Sequence, residues 1–116
     1  MYWKLATREV DDVGIIDVLA IDVLSHERGE LKRALVGHLA KRKRKILINL
    51  GNERRMESTG IGDLVACYQV AQNNSAELAL LLLGVHKKIY DLLVMTGLNQ
   101  VFEVFSDEAD ALKSFS

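Results

Sequence analysis

The run 46-ILINLGNERRMESTGIGDLVACY-68 decides how this chain is read. Its first five residues, Ile46 to Leu50, are β-like, and the loop 51-GNERRM-56 separates them from an apolar helical pattern. In that pattern Ile61, Leu64, Val65 and Tyr68 recur at i, i+3, i+4 and i+7, the spacing of one helix face. A strand that leads through a short loop into a helix is half of a βαβ unit. The helix start is unusual, because two adjacent hydroxyls, Ser58 and Thr59, are followed by Gly60 and Gly62 within its first turn. Glycine costs about 1 kcal/mol against alanine inside a helix. Two of them imply that something approaches this backbone closely.

Working outward from this run, Leu5 to Val10 reads as a weak strand. The polar 11-DDVG-14 offers turn chemistry before a second β-like run, 15-IIDVLAIDVL-24, so a hairpin is expected. The second run has no wet face along its length and should lie deep in a sheet. Leu31, Leu35 and Leu39 then fall at i, i+4 and i+8, making 27-ERGELKRALVGHLA-40 an amphipathic helix. The basic run 41-KRKRK-45 closes it, where cations offset the partial negative charge of the last carbonyls. After the second helix, 72-QNNS-75 is a stop and 78-LALLLLGV-85 a fully buried strand. A third helix over 86-HKKIYDLLVMT-96 carries the stripe Ile89, Leu92 and Leu93 and ends at Gly97 as a C-terminal cap. A short strand 101-VFEVF-105 follows, and then a last helix 107-DEADALKSF-115 capped by Asp107 or Ser106. The order β-β-α-β-α-β-α-β-α predicts an α/β fold: an N-terminal hairpin, then β-α repeats. Its sheet should be mixed but mostly parallel, with four to five strands, about four helices, and one domain over residues 1–116.

Composition excludes several functions. The 116 residues are 49% hydrophobic and 27% charged, with a formal net charge of -1, so neither nucleic acid nor an anionic membrane is expected as a general partner. No stretch reaches the roughly 18 apolar residues of a membrane span, and one cysteine, Cys67, fits a reducing compartment; a cytoplasmic location is expected. His26, His38 and His86 stand in three separate elements without a second ligand at helical spacing, so no metal site is expected. Cys67 lies mid-helix with nothing to lower its pKa, and reads as a packed or surface thiol. The acids Asp11 and Asp12 are turn residues. The 60-GIG-62 pair lacks both the Rossmann spacing and the Gly-Lys-Ser/Thr of a P-loop. No cofactor is implied, and no nucleophile–base pair supports a stand-alone enzyme.

The hydroxyl pair has another use. One hydroxyl serves as the N-cap of its helix, which leaves the other spare, near the surface and beside side-chain-free glycines. A phosphate there adds about −1.5 to −2 charge at a helix start whose dipole favours it. The fold would survive while the surface is transformed.

The stretch 48-INLGNERRMESTGIGDLVACY-68 resembles the signature of STAS domains, the family of sulphate-transporter domains and anti-sigma factor antagonists. There a strand is followed by an Asp-Ser-Ser/Thr-Gly-Leu/Ile-Gly motif that opens a helix. The segment 92-LLVMTGLNQVFEVFSDEADAL-112 is similar to the family's Leu-x-x-x-Gly-Leu segment, terminal strand and closing helix, and 15-IIDVLAIDVLSHERGELKRAL-35 fits more loosely. The resemblance covers nearly the whole chain. It implies a binding switch: Thr59 is the phosphorylated hydroxyl, and Glu57, Ser58, Thr59, Gly60, Ile61 and Gly62 form the partner-binding surface. The implied partner is an anti-sigma factor that is also an ATP-dependent protein kinase, bound by the unphosphorylated form so that a sigma factor is freed. A resetting phosphatase, a monomer or weak dimer, and a phosphorylation-independent scaffold or ligand- or lipid-binding domain are left open. The motif acid is Glu57 rather than aspartate. Where the family often has Gly-x-Leu-Asp, this chain has 22-DVLS-25, which sets Ser25, or Asp22 in its place, beside the hydroxyl pair.

Overall fold

The structure, a computed structural model, describes residues 2–22, 29–51, 58–82, 91, 94–95, 97 and 103–115. Strand β1 (Tyr2–Val10) and strand β2 (Val13–Asp22) pair antiparallel. Pairing runs to Val10 opposite Val13, so the turn is only Asp11 and Asp12, tighter than the expected 11–14. Asp11 adopts φ 53°, a left-handed conformation that Asp tolerates because its short polar side chain bonds locally. Between Lys4 and Leu5 the register shifts, with Leu5 opposite Val18 and Lys4 opposite Ala20. Leu19 is therefore the extra residue of a bulge, and it is 59% exposed.

Helix α1 (Glu30–Ala40), strand β3 (Lys45–Gly51), helix α2 (Ser58–Asn73) and strand β4 (Glu77–Leu82) follow, then strand β5 (Glu103–Phe105) and helix α3 (Glu108–Ser114). The sheet order is β1-β2-β3-β4-β5, and every pair after the hairpin is parallel. This is the expected mixed sheet. Of the four expected helices, three have defined bounds. Asp91, Val94 and Met95 are helical within the other one, and Gly97, at φ 77°, donates its N–H to Val94 O at 3.1 Å as a cap does. The stripe Ile89, Leu92 and Leu93 lies outside the described residues.

The pleat sorts the unbroken apolar runs onto two faces. Ile16 and Val18 of β2, Ile46, Ile48 and Leu50 of β3, and Leu80 of β4 pack with Leu31, Leu35 and Leu39 of α1 and Leu64 and Cys67 of α2. Val13, Ile15, Leu47 and Ala79 point the other way, against Ala111 of α3 and Phe115, which caps the end of that helix. Helices cover both faces, which is why these strands read as continuous rather than alternating.

The basic run after α1 fastens the hairpin to the helix. Arg44 Nη1 donates to Leu39 O at 3.1 Å. Lys41 and Lys43 lie 3.9 and 3.5 Å from the Glu9 carboxylate, and Lys45 lies 3.2 Å from Asp12. The Lys45 ammonium, by hydrogen bond and charge, holds the Asp12 carboxyl below its ordinary value. Arg44 makes the helix-end contact that the sequence predicted, while the three lysines pair instead with acids of the hairpin. Beside them, His38 is buried with its ring flat on Gly14, where a Cβ would stand 2.6 Å from Nδ1. Its Nε2–H donates to Ile15 O at 3.2 Å, the only role open to a nitrogen facing a carbonyl.

Candidate functional site

Helix α2 joins two adjacent parallel strands, so its first turn stands at the carboxyl end of β3 and its last turn beside the start of β4. At the far end the return is fixed by Ala76 N–H to Ala71 O at 2.8 Å and Glu77 N–H to Arg44 O at 2.7 Å. Leu64, Cys67 and Ala71 bury the inner face, with Val65 and Tyr68 half-buried alongside. Cys67 is a fully packed thiol, and burial, aided by the Asp63 carboxylate against the opposing Lys32, pushes it up to about 12. Burial of this kind holds a thiol protonated and away from solvent.

The first turn holds the predicted site residues Ser58, Thr59, Gly60, Ile61 and Gly62 on consecutive helical backbone. The first N–H groups of a helix have no partner inside it and carry its positive dipole end. No acidic residue occupies this first turn. Gly62 is exposed, its φ is not positive, and a Cβ built on it meets nothing within 4 Å. Among the described residues, neither backbone geometry nor packing requires glycine there. Asp22 closes β2, and the register pairing Asp17 with Asn49 carries that strand end to the same edge of the sheet as Gly51. The structure thus brings the backbones of Asp22 and the 58–62 turn to one end of the sheet. Glu57 and Ser25 lie outside the described residues, as does the direction of the Thr59 hydroxyl.

Sequence reasoning missed a polar network on the sheet face that carries α3. Arg8 Nε donates to Asp17 Oδ2 at 2.7 Å, Asn49 Nδ2 donates to Asp17 Oδ1 at 2.8 Å, and Arg8 Nη2 also donates to Glu108 of α3. Burial works to raise the Asp17 carboxyl, but the Arg8 and Asn49 hydrogen bonds outweigh it and leave it below its ordinary value. Bonds to Asp17 and Glu108 likewise raise the Arg8 guanidinium above its usual value. The signal was present: Asp17 and Asn49 are the lone polar residues interrupting 15-IIDVL-19 and 46-ILINL-50. The network joins β1, β2, β3 and α3, and all four of its members are engaged with one another.

Two other features are remote from the turn. A cavity of about 320 Å³ lies at the opposite end of the sheet, lined by Tyr68, Gln72, Glu77, Glu103 and Ser114 among others, without a nucleophile–base pair. Among the described residues no group of three or more His, Cys, Asp or Glu is placed to hold a metal. No helix among them is long and apolar enough to cross a membrane.

A mixed sheet with a hydroxyl-glycine helix start at its carboxyl edge is the architecture of the STAS domain, and a sequence model of that family matches residues 4–111. The chain belongs to the STAS family. It is 25% identical over 101 residues to the Anti-sigma F factor antagonist of Paenibacillus polymyxa, an alignment spanning 85% of each chain. In fold it is similar to the crystal structure of an anti-sigma factor antagonist from Mycobacterium paratuberculosis, with a TM-score of 0.78 at 20% identity over 97% of this chain and 93% of that one. It is also similar to the NMR structure of the protein TM1081 of Thermotoga maritima, with a TM-score of 0.79 at 18% identity over 97% and 89%.

Proposed function

We propose that this protein is an anti-sigma factor antagonist whose affinity for its partner is switched by phosphorylation of Thr59. The unphosphorylated chain binds an anti-sigma factor that is also a serine/threonine kinase, and the sigma factor held by that kinase is released. The observation that carries this reading is the first turn of α2. It pairs hydroxyl residues with a glycine, Gly62, that no contact among the described residues requires, in a first helical turn that carries no acid. Gly62 then serves a docked surface, which can approach the helix backbone where no side chain intervenes. Ser58, Gly60, Ile61 and Glu57 complete that surface, with Asp22 and Ser25 at its border.

The switch is electrostatic. A phosphate on Thr59 places about two negative charges in the centre of a docked surface, where each must lose its water or be paired. The helix dipole favours the charge within the free protein, so the fold tolerates what the complex does not. The protein acts by binding and catalyses no step itself. Its test is incubation with the cognate kinase and ATP, read by intact mass. One added phosphate is expected on the wild type and none on Thr59→Ala. Phosphate on Thr59→Ala, or none on the wild type, removes the assignment.

A further inference from the structure

The outward face of α1 breaks the rule for a surface helix. Its buried stripe is Leu31, Leu35, His38 and Leu39, so the opposite positions, Arg33, Val36, Gly37 and Ala40 at i, i+3, i+4 and i+7, should be polar. All four are exposed, and three are apolar or bare. Val36 is 46% exposed. Gly37 stands mid-helix without a positive φ, and a Cβ on it would meet nothing within 4 Å. It therefore has the same unexplained character as Gly62, on a different helix. Next to Gly37 a cavity of about 200 Å³ opens between α1 and β1, lined by Thr7, Ala34, Gly37, His38 and Lys41.

Charge frames this apolar strip. Residues 30–45 hold seven of the fifteen Lys and Arg and one of the sixteen acids, Glu30, leaving eight cations against fifteen acids elsewhere. Lys32, Arg33, Lys41 and Arg42 are exposed around the strip, and Lys32 and Arg42 have no ion-pair partner among the described residues. We infer that the outer face of α1 is a second docking surface, one that receives an amphipathic helix of another protein whose apolar stripe is flanked by Asp and Glu.

Three polyvalent partners compete for such a face, and the chemistry separates them. Nucleic acid gains affinity from many unpaired cations and from aromatic stacking, whereas Lys41, Lys43 and Lys45 already face Glu9 and Asp12 and the strip has no aromatic. An interfacial membrane helix needs bulky Trp, Phe or Leu side chains on its apolar face, and Val36 and Ala40 are too small. A partner helix fits: Gly37 lets its backbone come close, the cavity takes one apolar side chain, and its acids meet Lys32, Arg33 and Arg42. Opposite charges around an apolar centre are the usual division of labour at such interfaces. This surface lies on a different helix from the Thr59 turn, and its docking does not require the Thr59 hydroxyl.

The experiment places a photo-crosslinking benzoylphenylalanine at position 36 or 40 of the full chain, in the cells that natively produce it, with position 73 of α2 as an exposed control. The expected product is a crosslink to another protein through a segment that mass spectrometry reads as an acidic helix. Its yield should fall about tenfold in Lys32→Glu/Arg42→Glu, as loss of complementary charge predicts. Circular dichroism must show each variant folded, and the isosteric Lys32→Gln/Arg42→Gln pair provides a second reading should the reversal unfold the chain. Crosslinks to a second copy of this chain, to nucleic acid or to lipid overturn the inference, and so does a yield no higher than the control's. Phosphorylation of Thr59, measured on the same variants, separates failure here from failure of the switch.

Discussion

Helices α2 and α3 both start after a parallel strand of one sheet, and they start in opposite ways. At α3 the Asp107 side chain accepts from the N–H groups of Ala109 and Asp110 at 2.7 and 3.2 Å. Glu108 and Asp110 add negative charge in the same turn, and Arg8 ties Glu108 to Asp17. Everything that a helix start attracts is supplied by the chain itself. At α2 the first turn carries no acid, and no contact among the described residues requires one of its glycines, Gly62. A helix start completed by its own carboxylates is finished architecture. A first turn that carries none, with an exposed glycine beside it, has room for a group or a surface that arrives later.

This contrast can be broken most decisively at Thr59. Thr59→Glu should lower affinity for the kinase partner by up to about 10⁴-fold, equivalent to about 5.5 kcal/mol, while Thr59→Ala keeps it. Isothermal titration measures both, and equal affinities would remove the charge mechanism. The corresponding change at α3 acts on stability alone. Asp107→Ala should cost about 1 kcal/mol of unfolding free energy through the lost cap, read by urea titration, with partner affinity unchanged.

The fastening of α3 through Asp17 should also show in pH. The folded-state value of Asp17 is lowered from 3.8, so its contribution is fully present above that ordinary value and fades as pH falls through the lowered one. Asp17→Asn is expected to be less stable than the wild type by about 1 kcal/mol at about pH 6, a figure discounted for the partly exposed Arg8. The two proteins should converge once pH falls below that lowered value, where both side chains are neutral. A constant gap across the range would mean that packing, rather than charge, explains the difference. The smallest effect, and the sharpest for the comparison, is Gly62→Ala. It should stabilise the free protein by something under about 1 kcal/mol, since alanine is the better helix residue, yet weaken the complex. A variant that gains stability and keeps full affinity would show that nothing docks against that glycine.

Much of this was legible because periodicity is a local property. The Leu31, Leu35 and Leu39 spacing marked α1, the β-like run 46-ILINL-50 after the basic run marked β3, and Asp107 stood where a cap belongs. Bounds were less legible, since strand ends are set by pairing partners: β2 begins at Val13 because Val10 of β1 reaches it. On α2, reading Ile61, Leu64, Val65 and Tyr68 as the inward stripe passed over Cys67, which packs at its centre. A small thiol gives a weak periodic signal, although burial suits it. His38 shows the same limit. Nothing in its neighbours says that its ring will lie on Gly14, 24 residues away in the chain.

The sequence by itself determined the element types, the βα alternation that makes the sheet mostly parallel, and the hydroxyl-glycine start of α2. These follow from side-chain spacing and backbone preference over a few residues. Only the tertiary structure decided that Arg8, Asp17, Asn49 and Glu108 meet, that Gly14 is needed under an imidazole, and that no contact among the described residues needs Gly37 or Gly62. Those facts depend on which distant backbones become neighbours, and whether a bare position is filled or open to an arriving partner is known only once the rest of the chain has packed around it.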